Sequence, residues 1–375
     1  MPAVVIVGAG VFGAALARET AGRGWDVTLV DPEPPGHPAA SSGGETRLLR
    51  CAHGSDVLHA RSARRAREIW RDLGDGLLQE CGLAWFAHGG SGWETRSEAV
   101  LAAEGIACER LAPDEAARLY PSLATGDLAW VLLEPEAGVL FAARATAALA
   151  AAAAEGGARL VRGRARPAGE AVDVEGAGRL EGDAVVWACG PWLPALFPGL
   201  VRIRVTRQDV PYFEAGPEWH GAPAWVDYDL AAHGTGDVTG AGRVKVASDA
   251  EGPAFDPESD PREPAPDATD RAREYLARRF PALAGAAAAG VDVCQYELTP
   301  DTRFIAAPHP EHPTVWIYGG GSGHGFKHGP ALAERMADWL SGEAPDPALG
   351  LGPRQADLRL RTAGLRADGG AAERS

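Results

Sequence analysis

Gly8-Ala9-Gly10-Val11-Phe12-Gly13 follows a β-rich apolar run and opens a helix-forming segment, which places three glycines where a backbone can approach a pyrophosphate. The free N–H groups at the start of that helix would face the phosphate charge. Asp31, at the end of the next apolar run, is placed to accept from a ribose hydroxyl. Strand, glycine turn, helix, strand and acid in this order make a dinucleotide-binding fingerprint, one that does not by itself separate FAD from NAD. The five cysteines, Cys51, Cys81, Cys108, Cys189 and Cys294, form no CxxC pair and suit neither a zinc site nor a disulfide scaffold. One or two at most should carry chemistry. The histidines other than His324 are scattered without metal-ligand spacing, read as structural, and no metal is expected.

The elements that must position these residues follow from periodicity. Residues 3–7, 11–23 and 26–30 read as strand, helix and strand, the opening of a doubly wound α/β sheet. Residues 57–80 carry Leu58, Ile69, Leu73 and Leu77 at helical spacing with many arginines between, a basic face read as solvated surface. The alanine-rich stretch 141–154 is a second helix, stopped by Glu155-Gly156-Gly157. Residues 159–161 and 183–188 return to the sheet. Between 201 and 250 the runs VRIRV, DVPYF and RVKVAS alternate like strands of a largely antiparallel sheet. Residues 251–267, rich in proline and acids, form a surface excursion, and 268–279 resume a helical rhythm.

The expected architecture is a Rossmann-like FAD-binding domain from residues 1–80, 141–200 and 296–345. A second α+β substrate domain on a largely antiparallel sheet comprises 81–140 and 201–295. Residues 346–375 form a tail expected to be mobile. The chain has 375 residues, 46% of them hydrophobic, enough for a large core. Its net charge of -15 opposes nucleic acid and anionic membranes. An anionic substrate would need local cations to overcome that field. No run of about 20 apolar residues and no signal-like start is present, so a cytoplasmic location is expected.

Further along, Cys294-Gln295-Tyr296-Glu297-Leu298-Thr299-Pro300-Asp301 precedes Gly319-Gly320-Gly321-Ser322-Gly323-His324-Gly325-Phe326-Lys327. Here the chain resembles the monomeric sarcosine oxidase family, within the D-amino acid oxidase-like flavoproteins. Ser41-Ser42-Gly43-Gly44-Glu45-Thr46-Arg47-Leu48-Leu49-Arg50 is similar to the family's loop beside the flavin, and residues 188–192 look like its second nucleotide-side turn. The resemblance runs in order over residues 3–342 and is patchy in the middle, around Arg207-Gln208 and 242–245.

The resemblance implies FAD as cofactor, attached through Cys294 by a thioether to the flavin 8-methyl group. A thiolate attacking an electron-poor ring is sound chemistry. It implies that Arg50 and Lys327 hold a substrate carboxylate, the arginine by paired hydrogen bonds and the lysine as a point charge. These two cations would also favour the neutral amine, whose lone pair is needed to expel hydride. Lys245 matches a lysine that promotes reaction of reduced flavin with oxygen, and Arg47 a flavin-facing arginine. Ser41, Thr46, Gly321 and Gly323 fall on flavin-side positions, and Tyr296, Gly323 and His324 on pocket or flavin-side ones. Two departures stand out: Gly43 and Asp249 replace histidines common in the family, which puts sarcosine itself in doubt.

The expected function is oxidation of a secondary-amine amino acid by FAD, with O2 reduced to H2O2. A monomer acting on a small amino acid or imine is expected, without nucleic acid or membrane partners. The alternatives are an oxidase of a cyclic imino acid or imine of the pipecolate or piperideine-carboxylate type in a natural-product pathway, and a flavin dehydrogenase using an electron carrier. A non-catalytic FAD-binding subunit and an NAD-binding protein complete the range.

Overall fold

The structure is a computed structural model that describes residues 1–354. Among these, a six-stranded sheet runs in the order Ile305–Pro308, Val315–Gly319, Ala184–Trp187, Ala3–Val7, Asp26–Asp31 and Arg159–Arg162. Neighbours are parallel except the pair Ile305–Pro308 and Val315–Gly319, which is antiparallel. The inner strands, AVVIV and VWIYG among them, are buried almost throughout because both faces are covered. On one face lie the helices Val11–Gly22, Ala142–Glu155 and Gly329–Leu340, joined to the sheet in a core that includes Leu16, Leu149 and Met336.

A second sheet, eight-stranded among the described residues, runs Ala288–Leu298, Arg204–Glu214, Arg243–Ser248, Ala232–Thr235, Ala224–Asp227, Leu83–Ala87, Trp130–Glu134 and Glu109–Leu111. It is antiparallel except where Ala224–Asp227 meets Leu83–Ala87. DVPYF and the last two residues of VRIRV lie in the single strand Arg204–Glu214, while residues 201–203 are not strand; Arg204 to Phe213 pair with Ala288–Leu298. That partner strand crosses residues 295 and 296, so one continuous ladder carries Cys294 and Tyr296 between the two sheets' territories.

Two further expectations change. The helix expected over 57–80 is Val57–Leu73 and stops at Gly74, whose φ of 149° no helix accommodates; Leu78–Gln79 then pairs as a strand with Gly138–Phe141. The segment expected to start a mobile tail is docked in its first residues. Arg354 donates to the carbonyls of Arg303 and Phe304 and to the Asp301 carboxylate, at 3.0, 2.9 and 3.2 Å. Residues 355–375 of that expected tail lie outside the described residues. Among the described residues, no helix is long and apolar enough to cross a membrane.

Candidate active site

The glycine turn is built for close approach of a phosphate. Gly8 sits at φ 105°, and a Cβ on it would lie 2.4 Å from the Ala188 carbonyl oxygen. A Cβ on Gly13 would lie 1.8 Å from the Gly8 carbonyl oxygen, so the helix packs on the turn only because residue 13 is glycine. Gly10 faces the Ser42 hydroxyl, which accepts from the Val11 N–H at 2.9 Å and so occupies the helix N-terminus itself. Asp31 accepts from Ala9 and Glu33 N–H at 2.7 and 2.8 Å, and burial pushes its carboxyl up against these bonds. The carboxylate retains lone pairs for a hydroxyl. A glycine cradle with an acid at the next strand's end fits a dinucleotide such as FAD.

Beyond this turn a cavity of roughly 700 Å³ opens between the eight-stranded sheet and the segments 36–50 and 323–327. Thr46, Arg47, Arg50, Lys245, Cys294, Tyr296, Gly323 and Lys327 all line it, with the two departures Gly43 and Asp249. Gly8, Gly10, Gly13, Asp31, Ser41 and Gly321 do not line it; Gly8, Gly10, Ser41 and Gly321 lie in loops, Gly13 in the first turn of the helix and Asp31 at the end of its strand. The Ser41 hydroxyl is buried without a partner, while its carbonyl accepts from Arg47 at 2.8 Å.

Arg47 is fixed by backbone carbonyls of Ser41, Gly43 and Thr46, and its Nη2 also donates to Cys294 Sγ at 3.2 Å. The thiol is half-buried and faces the cavity. Cys294 and Tyr296 point to one side of their strand, as period two requires. On the other side Gln295 donates to Ala39, and Glu297 is buried beside Gly190 and Gly321. A Cβ on Gly321 would lie 3.0 Å from Glu297 Oε1, and Glu297 Oε2 has no partner. Burial pushes the Glu297 carboxyl up to about 7. The sequence reading missed Glu297, although the same alternation that exposes Cys294 points it at the glycine turns.

Lys245 projects from Arg243–Ser248 and donates to Thr46 Oγ1 at 2.7 Å. Burial first, then Arg47, brings its ammonium down to about 7. Across the cavity Arg50 lies over the Trp85 ring at 4.8 Å and donates to the Ala52 carbonyl. Lys327 is held by the His324 carbonyl at 2.8 Å, and burial with Arg50 nearby drives it well below the usual lysine range. Asp249 is half-buried; desolvation raises its carboxyl to about 6, against the pull of Arg50 and Lys327. Gly323, at φ 77°, passes so close to Tyr296 that a Cβ would lie 2.9 Å from its ring.

Supporting residues were invisible in the sequence. Glu134 accepts from Cys51 N–H at 2.7 Å and Trp85 Nε1 at 2.9 Å, fixing the loop after Arg50. Trp70 Nε1 donates to the Lys327 carbonyl at 2.9 Å while its ring stacks on Phe326. His233 lines the cavity too, and burial holds its imidazole neutral, at about 3. The histidines read as scattered are also gathered by the fold. His53, His59, His324 and His328 contact one another in one group, His53 and His328 buried, His59 and His324 half-buried, with His324 reaching the cavity wall. Chain spacing gave no sign of this, since residues 53–59 and 324–328 meet only in the tertiary fold.

The chain is 28% identical over 360 residues to a monomeric sarcosine oxidase of Bacillus sp. (strain B-0618), covering 89% of this chain and 90% of that protein. It is 27% identical over 374 residues to an N-methyl-L-tryptophan oxidase of Yersinia pestis (strain Pestoides F), covering 92% and 96%. Its fold is similar to that of an L-proline dehydrogenase from P. horikoshii, with a TM-score of 0.81 at 21% identity over 93% of this chain and 96% of that one. The sequence profile of the family described as FAD dependent oxidoreductase matches residues 3–339, nearly the whole described chain, and the chain belongs to that family.

Proposed function

We propose that this protein is an FAD-dependent oxidase of an amino acid bearing a secondary amine, with the flavin carried on Cys294 and O2 reduced to H2O2. The observation that carries the reading is the pairing of charge signs in one cavity: Arg50 and Lys327 beside Asp249, with Lys245 and Cys294 lining the same space. An amino acid brings both signs. Its carboxylate suits the guanidinium fork and the lysine, and its nitrogen suits the carboxylate.

Arg50 and Lys327 orient the substrate by that carboxylate and fix which carbon faces the flavin. An arriving anion also favours the protonated form of Lys327, which burial otherwise disfavours. Asp249, ionised above about 6, accepts the proton of the bound ammonium and leaves the nitrogen lone pair free. When bound, FAD supplies a two-electron acceptor for the hydride on the carbon next to nitrogen and passes those electrons to O2. Lys245 holds a positive charge where reduced oxygen would develop a negative one. Arg47 donates toward the Cys294 sulfur and keeps it at the cavity wall. Asp249 in place of the family's histidine favours a substrate other than sarcosine, with cyclic imino acids and larger N-methyl amino acids the leading classes.

The test is oxygen uptake and peroxide formation across sarcosine, N-methyl amino acids, proline, pipecolate and cyclic imines. Stoichiometric peroxide with at least one of them is expected. Flavin retained by the protein after acid denaturation, and released in Cys294→Ala, is the expected sign of the linkage. Flavin released in full from the wild type removes it.

A further inference from the structure

Among the polar side chains that line the cavity, His233 takes no part in the proposed reaction. It sits on Ala232–Thr235, paired with Val226 on one neighbouring strand and with Ala247 on the other, and all three line the cavity. Period two puts Lys245 on the same face as Ala247, so the imidazole stands on the wall that carries the lysine. Burial, then the charges of Lys245, Arg50 and Arg47, keep the ring neutral, down at about 3. A neutral imidazole presents one N–H and one lone pair. Neither has a hydrogen-bond partner among the described residues. Val226 and Ala247 beside it are aliphatic, and the Tyr228 ring, also on the wall, is fixed by stacking on Trp93 with centroids 4.8 Å apart. A lone polar group among apolar walls is how a pocket orients and selects its ligand.

We infer that His233 reads the substrate's side chain, and that this substrate is an amino acid whose side chain or ring carries a neutral group able both to donate and to accept, a hydroxyl or a carboxamide. The inference rests on the proposed reaction for the amino-acid part of the substrate and adds the part that the clamp does not touch. Arg50 and Lys327 take the carboxylate and Asp249 the nitrogen, so the side chain is what remains for Val226, His233 and Ala247 to meet. Charge narrows its chemistry. Arg47, Arg50 and Lys245 lie near enough to depress the proton affinity of the imidazole, and the same field repels an ammonium or guanidinium side chain. A second acid would compete with the substrate's own carboxylate for the clamp. An aliphatic side chain would cover the imidazole nitrogens and leave them unpaired, which costs free energy. Either tautomer can face the ligand, and a group that is donor and acceptor at once meets both.

The experiment titrates the flavoprotein with three carboxylates that hold an ether oxygen in place of the amine, so that binding is read without turnover. They are the methyl ether of lactate, the methyl ether at the same carbon of glycerate, which adds a hydroxyl, and the methyl ether of malamate, which adds a carboxamide. Titrations run at about pH 5.5, below the Asp249 value of about 6, so that this carboxyl keeps a proton for the ether oxygen. The change in the flavin spectrum gives each Kd. At least one of the two polar ethers should bind the wild type roughly 10-fold tighter than the lactate ether. His233→Leu should close that gap by weakening the polar ether, and His233→Gln, which keeps a donor and an acceptor, should largely restore it. Wild type that prefers neither polar ether overturns the assignment, as does wild type that binds none of the three. So does His233→Leu that weakens all three equally, the mark of a packing role. Ether binding with the expected preference, but no flavin bleaching by any amine, overturns the oxidase reading and supports the subsite.

Discussion

Glu134 Oε1 accepts the indole N–H of Trp85 at 2.9 Å, and the Arg50 guanidinium lies over that same ring. The carboxylate also takes the N–H groups of Cys51 and Ala52, so one buried side chain fixes both the platform under Arg50 and the backbone after it. Glu134→Ala leaves these donors buried without a partner. A loss of roughly 2–4 kcal/mol in stability is expected, with KM raised more than kcat is lowered. Denaturant unfolding and steady-state kinetics check it.

Arg50→Ala and Lys327→Ala each remove a charge-assisted contact to the substrate carboxylate. A charged hydrogen bond of about 1.5–3 kcal/mol predicts KM raised by roughly 10- to 100-fold in each. Replacing the substrate carboxylate by a carboxamide should cost the wild type a similar factor and the variants far less. For each variant, a double-mutant-style comparison of its two KM values with the two of the wild type measures this.

Lys245→Met should slow reoxidation by oxygen while leaving anaerobic reduction by substrate within a few fold. Because burial brings the ammonium to about 7, the cation is lost as pH rises through that value, and the wild-type oxygen reaction should slow with it. The unfolded chain keeps this proton up to the ordinary lysine value of 10.5, so stability should rise with pH between about 7 and 10.5. Stopped-flow reoxidation across pH and thermal melts of wild type and Lys245→Met report the two effects.

Asp249 is expected to set the acidic limb of the pH profile. The rate constant for reduction at low substrate should rise as pH passes about 6, and Asp249→Asn should flatten that limb. The folded chain holds the Asp249 proton that the unfolded chain, with a carboxyl near 3.8, has already released. Stability should therefore fall as pH rises from 3.8 to about 6, and the asparagine variant should lose that slope.

Residues whose geometry is local were legible in the sequence. Gly8, Gly13 and Asp31 sit on contiguous strand, turn and helix, so spacing alone located them. Cys294, Lys245, Arg50 and Lys327 were reached through resemblance, because nothing in the spacing of positions 50, 245, 294 and 327 brings them together. Strand pairing through Arg204–Glu214 brings Lys245 and Cys294 onto one sheet, and Arg50 and Lys327 reach the same cavity on segments outside that sheet. Glu134, Glu297 and the histidine group stayed hidden for the same reason: an isolated acid or imidazole looks like surface until the strand beside it is known. The basic helix after Asp56 was drawn too long because Leu77 keeps the helical rhythm, whereas Gly74 breaks the backbone that would carry it.

The most direct test of the account is anaerobic mixing of the flavoprotein with its best amine substrate, followed by admission of oxygen. Bleaching of the flavin band on mixing, its return in air and one peroxide per flavin are predicted, with bleaching strongly weakened in Arg50→Ala. A yellow protein whose band no secondary-amine amino acid or cyclic imine bleaches would contradict it.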